Sequence, residues 1–258
     1  MPHHVQIVSL EGLLGCGKST QLGILKLWFR NDSRIKFVDE PVDEWDAIGL
    51  LEAMYTGELE KGTFQLTALL SRMAAIIEAV NSEADVIVTE RSWLSDGFVF
   101  ARANLSGIHL EAYQYSFSKL QSALERMVTL DVTMLYLRCS ADDAMTRIRT
   151  RARDSEATVP IAYLDTLYRR HELMIELCMK NALGRQCRRD LDALSRPARM
   201  TTRGVIIDST QDVTVISQAI AARIEMALAR ASRTPPKDAI ECSEEATPMP
   251  AVPASTLA

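Results

Sequence analysis

Long apolar runs are scarce in this sequence. No window of the 258 residues approaches the roughly 18 uncharged apolar residues that a membrane-spanning helix needs. A first apolar strand is predicted after about four residues, which leaves no room for a signal or transit peptide. We therefore expect a soluble, cytoplasmic protein with no membrane partner.

Cysteine is also scarce, and its pattern is informative. The sequence has five cysteines, an odd number, and they are scattered without any C-x-x-C pair (Cys16, Cys139, Cys178, Cys187 and Cys242). Structural zinc sites and disulfide frameworks need clustered or paired cysteines. The pattern therefore indicates a reducing compartment and excludes a structural zinc site.

An excess of basic residues is missing as well. The chain has 29 Lys and Arg against 34 Asp and Glu, which gives a net charge of -5. Because polyanion-binding surfaces need a basic excess, we expect no nucleic-acid partner. Local basic clusters do occur, and they are considered below.

What is present begins with a phosphate-binding loop at residues 5–20, VQIVSLEGLLGCGKST. The pattern G-x-x-x-x-G-K-[ST] lies between a short apolar strand and a helix. Its glycines let backbone N–H groups point at phosphate oxygens, its lysine reaches the β- and γ-phosphates, and its serine can ligate Mg²⁺. We predict an ATP-binding loop made of Gly12, Leu13, Leu14, Gly15, Cys16, Gly17, Lys18, Ser19 and Thr20.

Strand-like and helix-like segments alternate along the rest of the chain. Apolar runs predict strands at 5–10, 35–38, 85–89, 132–137 and 204–208. Helical spacing predicts helices at 18–30, 44–54, 62–81, 110–130, 141–152, 161–179 and 211–229. This order predicts an α/β fold: a five-stranded parallel sheet of the P-loop NTPase type, with helices on both faces.

Two segments fit no element of this sheet. Residues 181–203 are rich in arginine and poor in apolar periodicity, so we predict an exposed insertion. Residues 232–258 are rich in proline and predict a disordered tail. Residues 1–231 are then one domain.

Charged side chains are predicted to gather at one edge of the sheet. Glu40 and Glu90 directly follow the second and third strands, at the edge where such sheets bind ligands. One carboxylate can accept a proton from an attacking hydroxyl, and the other can hold Mg²⁺. Arg147, Arg151 and Arg153 suit a mobile, arginine-rich lid over the triphosphate.

Gln65 and Arg72 form a second candidate pair, on the longest amphipathic helix. Seven positions are close to two helical turns, so the two side chains lie only about 20° apart, at the margin of the apolar stripe. They serve either solubility or the recognition of a planar base.

The sequence resembles the deoxynucleoside kinase family, which includes deoxycytidine, deoxyguanosine and insect-type multisubstrate kinases. Five blocks occur in the family's order and spacing: LEGLLGCGKST, DEPVDEW, FQ…SR, ERSWLSD and RIRTRARDSE…P…YL. The similarity runs from about Val5 to Met174.

The resemblance implies an ATP-dependent kinase that phosphorylates the 5′-hydroxyl of a deoxynucleoside, with Mg²⁺. It makes Glu40 the general base, Glu90 and Ser19 the metal ligands, and Arg91 a bridge between Glu40 and the 5′-oxygen. The catalytic set is then Glu40, Arg91, Lys18, Arg147 and Arg151, and Arg153 joins the ATP-binding lid.

The resemblance also implies an acceptor site. Tyr55 and Glu156 would hold the sugar 3′-hydroxyl, Gln65 would hydrogen-bond the base, and Trp45 and Phe64 would line its pocket. A homodimer formed through long helices is implied in the same way.

Base preference depends on Arg72 and Asp96. Family members with this pair take deoxycytidine or purine deoxynucleosides, whereas thymidine-preferring members have apolar or small residues there. We therefore favour deoxycytidine and purine deoxynucleosides over a thymidine-accepting or broad specificity. Gly97 replaces a usual basic residue and Ser155 replaces a lid acid, and both changes bear on base preference and lid behaviour.

Two other functions fit the phosphate loop. A thymidylate-type nucleoside monophosphate kinase has an arginine before the E-P pair to hold the acceptor's phosphate, but Asp39 stands there and would repel it. A regulatory subunit that binds ATP without chemistry would not need Glu40, Lys18, Glu90 and the lid arginines together.

Overall fold

In the computed structural model, which describes residues 3–153, 156, 158–180, 183 and 200–232, a five-stranded parallel sheet carries the fold. The strand order is β2-β3-β1-β4-β5, and every neighbouring pair is parallel. The strands are β1 (His3–Glu11), β2 (Ile35–Val38), β3 (Val86–Glu90), β4 (Val128–Arg138) and β5 (Met200–Asp208). The predicted P-loop NTPase-type sheet is confirmed.

The helices follow the strands in an alternating order. They are α1 (Lys18–Trp28), α2 (Val42–Ala47), α3 (Leu50–Thr56), α4 (Lys61–Val80), α5 (Trp93–Ser95), α6 (Ala101–Asn104), α7 (Gly107–Met127), α8 (Ala141–Arg151), α9 (Ile161–Met179) and α10 (Val213–Ala231). A π-helical turn, Asp96–Phe100, joins α5 to α6. Helices α1 and α10 pack together and against β1 and β3, while α7 and α9 contact β4.

The central strand, β1, is covered on both faces. Its successive residues Ile7 and Val8 are both fully buried, although their side chains point to opposite sides of the sheet. This is the pattern of a parallel sheet between two helical layers. The phosphate loop therefore follows a strand that is buried on both faces.

Several boundaries differ from the sequence predictions. The helix predicted at 44–54 is two helices, because Gly49 has a left-handed backbone (φ 71) that ends the first. The helix predicted to reach residue 130 ends at Met127, and β4 begins at the next residue. Residues 128–130, VTL, are apolar enough to continue a helical stripe, but they pair with β1.

The predicted insertion at residues 181–203 extends too far, because its last four residues are part of a strand. Met200 to Arg203 belong to β5, where Met200 pairs with Leu130. Of residues 181–199, only Leu183 is described, and it is buried. The rest of that insertion and the predicted tail beyond Ser232 lie outside the described residues.

One described helix, α4, is long and apolar enough to cross a membrane by length and composition alone. Its apolar window includes the charged residues Arg72 and Glu78, so it is not the uncharged run of about 18 residues that the sequence was searched for. Half of the apolar window is buried within the fold, as in the core helix of a folded domain.

Candidate active site

A cleft of about 800 Å³ opens at the carboxyl ends of the strands. The phosphate loop forms its floor, and the ends of β2 and β3 together with α4 form one wall. The start of α10, the end of α8, Arg153 and Glu156 also line it. Apart from Gly12 and Leu13, the predicted catalytic, ATP-binding and acceptor-binding residues all line this cleft.

The phosphate loop curls around Lys18. The Nζ of Lys18 donates a hydrogen bond to the carbonyl of Leu13 at 2.8 Å, and the side chain is buried. Residues 14–20 line the cleft, but Gly12 and Leu13 do not. Leu13 is fully buried in the core, so these two residues support the loop from behind.

A methyl group added at Gly12 is expected to disturb the phosphate loop. The φ of Gly12 is 142, and an added Cβ would lie 2.7 Å from both the Leu137 carbonyl oxygen and the Cys16 Sγ. We expect Gly12→Ala to destabilise the fold by about 2 kcal/mol and to weaken ATP binding at least about tenfold. Urea unfolding and ATP titration measure the two effects.

Gly23→Ala is the matched control, because that glycine lies inside α1 with nothing within 4 Å of an added Cβ. It should stabilise the fold by about 0.5–1 kcal/mol and leave ATP binding alone. Equal ATP affinity in both variants would contradict the dependence of the loop on Gly12.

Ser19 and Glu90 face each other across the cleft floor. The Ser19 hydroxyl donates to the Glu90 Oε1 at 2.9 Å. Burial raises the pKa of Glu90, and the charge of Lys18 offsets part of that rise. Among the described residues no group of three or more His, Cys, Asp or Glu side chains could hold a metal ion. These two oxygens, completed by phosphate oxygens, fit the ligand set that Mg²⁺ takes in phosphotransferases.

Glu40 lies between two arginines. It forms an ion pair with Arg72, and the Arg91 Nε donates to its Oε2 at 3.2 Å. Burial alone would raise the pKa of Glu40, but the charges of Arg91, Arg72 and Lys18 together lower it to about 2. Glu40 is therefore an ionised carboxylate at neutral pH.

Arg72 continues to a second carboxylate, Asp96, the first residue of the π-helical turn. Burial raises the pKa of Asp96 to about 6, although Arg72 lowers it in part. The Arg72 guanidinium also lies 4.9 Å from the centre of the Trp45 ring, which packs edge-on against Phe64. With Gln65, which lines the same part of the cleft, the predicted base-binding residues are brought together.

Three polar atoms of the predicted base-binding residues are buried without a hydrogen-bond partner in the described part of the chain. They are the Oε1 of Gln65, the Nε of Arg72 and the Oδ2 of Asp96. Buried polar atoms are normally paired. One donor and two acceptors are thus left for a molecule that enters the cleft.

The predicted lid residues lie at the end of α8 and just after it. Arg151 and Arg153 both pair with the buried carboxylate of Glu156, and Arg153 also lies 3.8 Å from Asp46 of α2. Arg147 instead donates to the carbonyl of Ser209, after β5, at 2.8 Å. Asp154 and Ser155 lie outside the described residues, so the structure does not bear on the replaced lid acid.

Tyr55 and Glu156 reach the cleft as predicted. Burial raises the pKa of the Tyr55 hydroxyl, and Tyr163 and Glu156 raise it further, so this hydroxyl keeps its proton. Sequence reasoning missed Tyr163, whose hydroxyl accepts from the Asn104 Nδ2 at 3.0 Å. The YL of the fifth sequence block was the available signal for it.

Phe100 was also missed. Its ring lines the cleft and lies 4.6 Å from the Arg91 guanidinium carbon. Its position four residues after Asp96, about one helical turn, could have indicated it.

Gly97 has a packing reason to be glycine. An added Cβ would lie 2.8–3.2 Å from ring atoms of Phe117 on α7. The ring of Phe117 stacks on that of Tyr113, whose buried hydroxyl has its pKa raised by burial and then by Asp96. The close approach of α7 to the π-helical turn therefore supports Asp96 from behind.

Gly97→Ala is expected to push the turn away from Phe117 and to lower kcat/KM for the acceptor about tenfold. Phe117→Leu in the same chain removes the colliding ring atoms and should recover most of this loss. Steady-state kinetics of both single variants and the double variant test the contact. Equal losses with and without Phe117 would contradict it.

Comparisons with known proteins agree with this geometry. The sequence profile of the deoxynucleoside kinase family matches residues 8–196. A probable deoxycytidine kinase of Fowlpox virus (strain NVSL) is 30% identical over 168 residues, covering 64% of this chain and 69% of the relative. Deoxycytidine kinase 1 of Xenopus laevis is 30% identical over 198 residues, covering 65% and 73%.

A solved structure shares the fold. The deoxyadenosine kinase from M. mycoides, with products dCMP and a flexible dCDP bound, superposes with a TM-score of 0.63 at 21% identity. The match covers 85% of this chain and 99% of that one. The profile match, the relatives and the fold agree: the chain belongs to the deoxynucleoside kinase family and is a nucleoside kinase.

Proposed function

We propose that this kinase transfers the γ-phosphoryl group of ATP to the 5′-hydroxyl of deoxycytidine and, less efficiently, of purine deoxynucleosides. The observation that carries the proposal is the set of three unpaired buried atoms beside Trp45 and Phe64. Gln65 and Asp96 each offer a free acceptor oxygen, and Arg72 offers a free N–H donor.

Cytosine complements this set. Its Watson–Crick edge has an amino group with two hydrogens to donate, a ring nitrogen that accepts, and a carbonyl oxygen that also accepts. The ring nitrogen can take the Arg72 Nε–H, and the two amino hydrogens can reach the oxygens of Gln65 and Asp96.

The other bases fit less well or not at all. Adenine shares the amino group and the accepting ring nitrogen but has no carbonyl oxygen and a larger ring system, and guanine also carries an amino group. Thymine reverses the pattern, with two carbonyl oxygens around a single N–H. A site whose buried polar groups stay unpaired rejects such a ligand strongly.

The reaction follows from the charges around the cleft. Glu40, held ionised by Arg91 and Arg72, accepts the proton of the 5′-hydroxyl as it attacks the γ-phosphorus. Lys18, Arg147 and Arg151 stabilise the negative charge that develops on the transferring group. Mg²⁺ would be held by Ser19 and Glu90 and would neutralise the β- and γ-phosphate oxygens.

The binding residues divide by substrate. The main chain of residues 14–20 and Arg153 bind the triphosphate, because they line the cleft beside Lys18. Tyr55 and Glu156 bind the 3′-hydroxyl. Arg151 and Arg153 now pair with Glu156, so closure over ATP and binding of the sugar involve the same carboxylate.

The names of the relatives support this choice of base. The matches from Fowlpox virus and Xenopus laevis are deoxycytidine kinases, and a mitochondrial deoxyguanosine kinase of Xenopus laevis is 29% identical over 195 residues. The solved relative is a deoxyadenosine kinase. All of these acceptors carry an amino group on the base.

The test is a panel of the four deoxynucleosides with ATP and Mg²⁺, extended by 2′-deoxyzebularine, which lacks only the 4-amino group of deoxycytidine. We expect deoxycytidine to be preferred over thymidine by at least about 10³ in kcat/KM, and the loss of the amino group alone to cost about 10². Equal use of thymidine would refute the base preference.

The same assay separates the other candidate functions. Turnover of deoxycytidine monophosphate alone would indicate a monophosphate kinase, and ATP binding without turnover of any acceptor would indicate a regulatory subunit. Asp39 lies beside Glu40 and pairs with Lys26, so a negative charge stands where an acceptor phosphate would need an arginine.

We propose a cytoplasmic homodimer that binds neither membranes nor nucleic acid, with one kinase domain at residues 1–231 and a disordered tail at 232–258. Exposed apolar side chains on α4 and α7, including Leu70 and Tyr115, support a dimer face. Light scattering after gel filtration distinguishes a dimer from a monomer.

A further inference from the structure

Glu11 is a buried carboxylate that the proposed chemistry does not use. It is the last residue of β1, directly before the phosphate loop, and none of its surface is exposed. Its Oε1 accepts two hydrogen bonds from Ser92, from the backbone N–H at 2.9 Å and from the hydroxyl at 2.6 Å. Burial raises its pKa, although Ser92 and Arg91 offset part of the rise.

The residue before Ser92 has an unusual backbone. Arg91 has φ 62, and Ala152 is the other non-glycine residue with a positive φ in the described ranges. Left-handed backbone is unfavourable for a residue with a Cβ, so the surroundings must hold it.

Three hydrogen bonds hold the backbone at this point. The Arg91 N–H donates to the Leu10 carbonyl at 3.0 Å, and the Arg91 carbonyl accepts from the Thr89 hydroxyl at 2.9 Å. The third is the bond from the Ser92 N–H to Glu11. Thr89 and Glu11 therefore fix the two sides of the peptide that leaves the left-handed residue, and within the described part of the chain Glu11 is the side chain that accepts from its N–H.

The side chain of Arg91 depends on this backbone. Its Nε donates to Glu40 at 3.2 Å, and its Nη1 donates to the Gly12 carbonyl at 2.7 Å. The guanidinium thus connects the proposed general base to the start of the phosphate loop. A change of backbone at Arg91 would move both bonds.

We propose that Glu11 is a positioning residue for the phosphoryl transfer: by holding Ser92 it maintains the left-handed turn that keeps the Arg91 guanidinium on Glu40 and Gly12. This inference rests on the proposed roles of Glu40 and Arg91. It predicts that Glu11 affects the chemical step through Arg91, with little effect on ATP binding.

A double-mutant cycle between Glu11 and Arg91 tests it. Glu11→Ala should lower kcat about 100-fold, because a misplaced catalytic group costs about that factor. Its KM for ATP should change by less than about threefold. In an Arg91→Ala background the same substitution should lower kcat by less than about threefold. If the double variant loses kcat by the product of the two single losses, Glu11 does not act through Arg91, and the proposal is overturned.

Two further variants separate positioning from stability. Glu11→Gln keeps an oxygen that can accept both bonds from Ser92, and it should restore kcat to within about threefold of the wild type. Asp131→Asn is the control, because Asp131 is a buried carboxylate of β4 that accepts from Thr201 at 2.8 Å and pairs with Arg203. It should lower Tm without lowering kcat. A Glu11→Ala variant with the same profile would overturn the proposal.

Glu11→Leu takes the place of Glu11→Ala in the cycle if the latter does not fold, since it also removes both acceptor oxygens but keeps more of the buried side-chain volume. The ¹⁵N–¹H signal of the Arg91 Nε gives a readout that does not depend on the substrate. It should move in Glu11→Ala and stay in place in Glu11→Gln; no movement in either overturns the inference. A wild-type enzyme that turns over no deoxynucleoside would count against the proposed function alone.

Discussion

Glu40→Gln is expected to lower kcat by about 10³ while deoxycytidine still binds, because the amide has the shape of the carboxylate but cannot take the proton of the 5′-hydroxyl. Its two arginines keep other partners: Arg72 stays on Asp96, and Arg91 stays on the Gly12 carbonyl. The cleft should therefore remain formed. A single-turnover measurement with radiolabelled ATP gives the rate, and Trp45 fluorescence reports acceptor binding.

Glu172→Gln is the matched control for Glu40→Gln. Glu172 accepts from the Arg138 Nε at 2.9 Å, does not line the cleft, and should leave kcat within about twofold of the wild type. An unchanged kcat in Glu40→Gln would show that another group takes the proton.

The low pKa of Glu40 also fixes the form of its pH dependence. With a pKa of about 2, Glu40 stays ionised over the whole range in which the fold is stable. Protonation of Glu40 should therefore add no acidic limb to kcat/KM between about pH 5 and 8. Removing Arg91 or Arg72 raises its pKa toward the ordinary value, so loss of activity should then begin at a higher pH.

The second large effect is expected when Arg72 and Asp96 are both replaced by apolar residues. Arg72→Met with Asp96→Ala removes the donor and one of the acceptors that match cytosine. It should lower kcat/KM for deoxycytidine by at least about 10³. The kcat/KM for thymidine should rise, because its base no longer meets a buried charge pair. Thymidine should then become the better acceptor. Steady-state kinetics with the four deoxynucleosides measure the change.

The single variant Arg72→Met is the control for this prediction. Arg72→Met alone leaves Asp96 buried without its cation, which costs about 3–5 kcal/mol, whereas replacing both partners by apolar groups is often neutral. Urea unfolding should therefore rank the double variant above Arg72→Met. A double variant that still prefers deoxycytidine would contradict the role of the pair.

The phosphate loop was predictable because its strand, its glycine pattern and its helix follow one another directly in the sequence. The sheet was predictable because apolar strand segments alternate with helical segments along the chain. Residues 5–10 form an apolar run that leads into a glycine pattern, and strand-to-helix alternation fixes the rest. Gln65 and Arg72 were placed on one margin of α4 by helical geometry alone, and they do meet the same cleft.

The region from α5 to α6 was not predictable in this way. Its sequence, WLSDGFVFARAN, has no clear helical or strand period, and a π-helical turn changes the spacing inside it. The closeness of Gly97 to Phe117 depends on α7, twenty residues further along the chain.

The links between Glu40, Arg72 and Arg91 could not be read from spacing either. Arg72 and Glu40 are 32 positions apart on separate elements, and their meeting depends on how α4 lies against the sheet. The left-handed backbone at Arg91 left no trace in the sequence, because glycine, the usual sign of such a backbone, is absent there.

The central place of β1 has a consequence for how the protein is made. This strand leaves the ribosome well before its neighbours in the sheet, β3 and β4, which begin at Val86 and Val128. At the usual pace of translation, about 5–20 residues per second, roughly 120 residues separate β1 from β4, a delay of about 6–24 seconds. During that time the apolar strand and the glycine loop behind it have no partner on one side. Protection of this nascent segment by a chaperone would then decide the yield of folded enzyme.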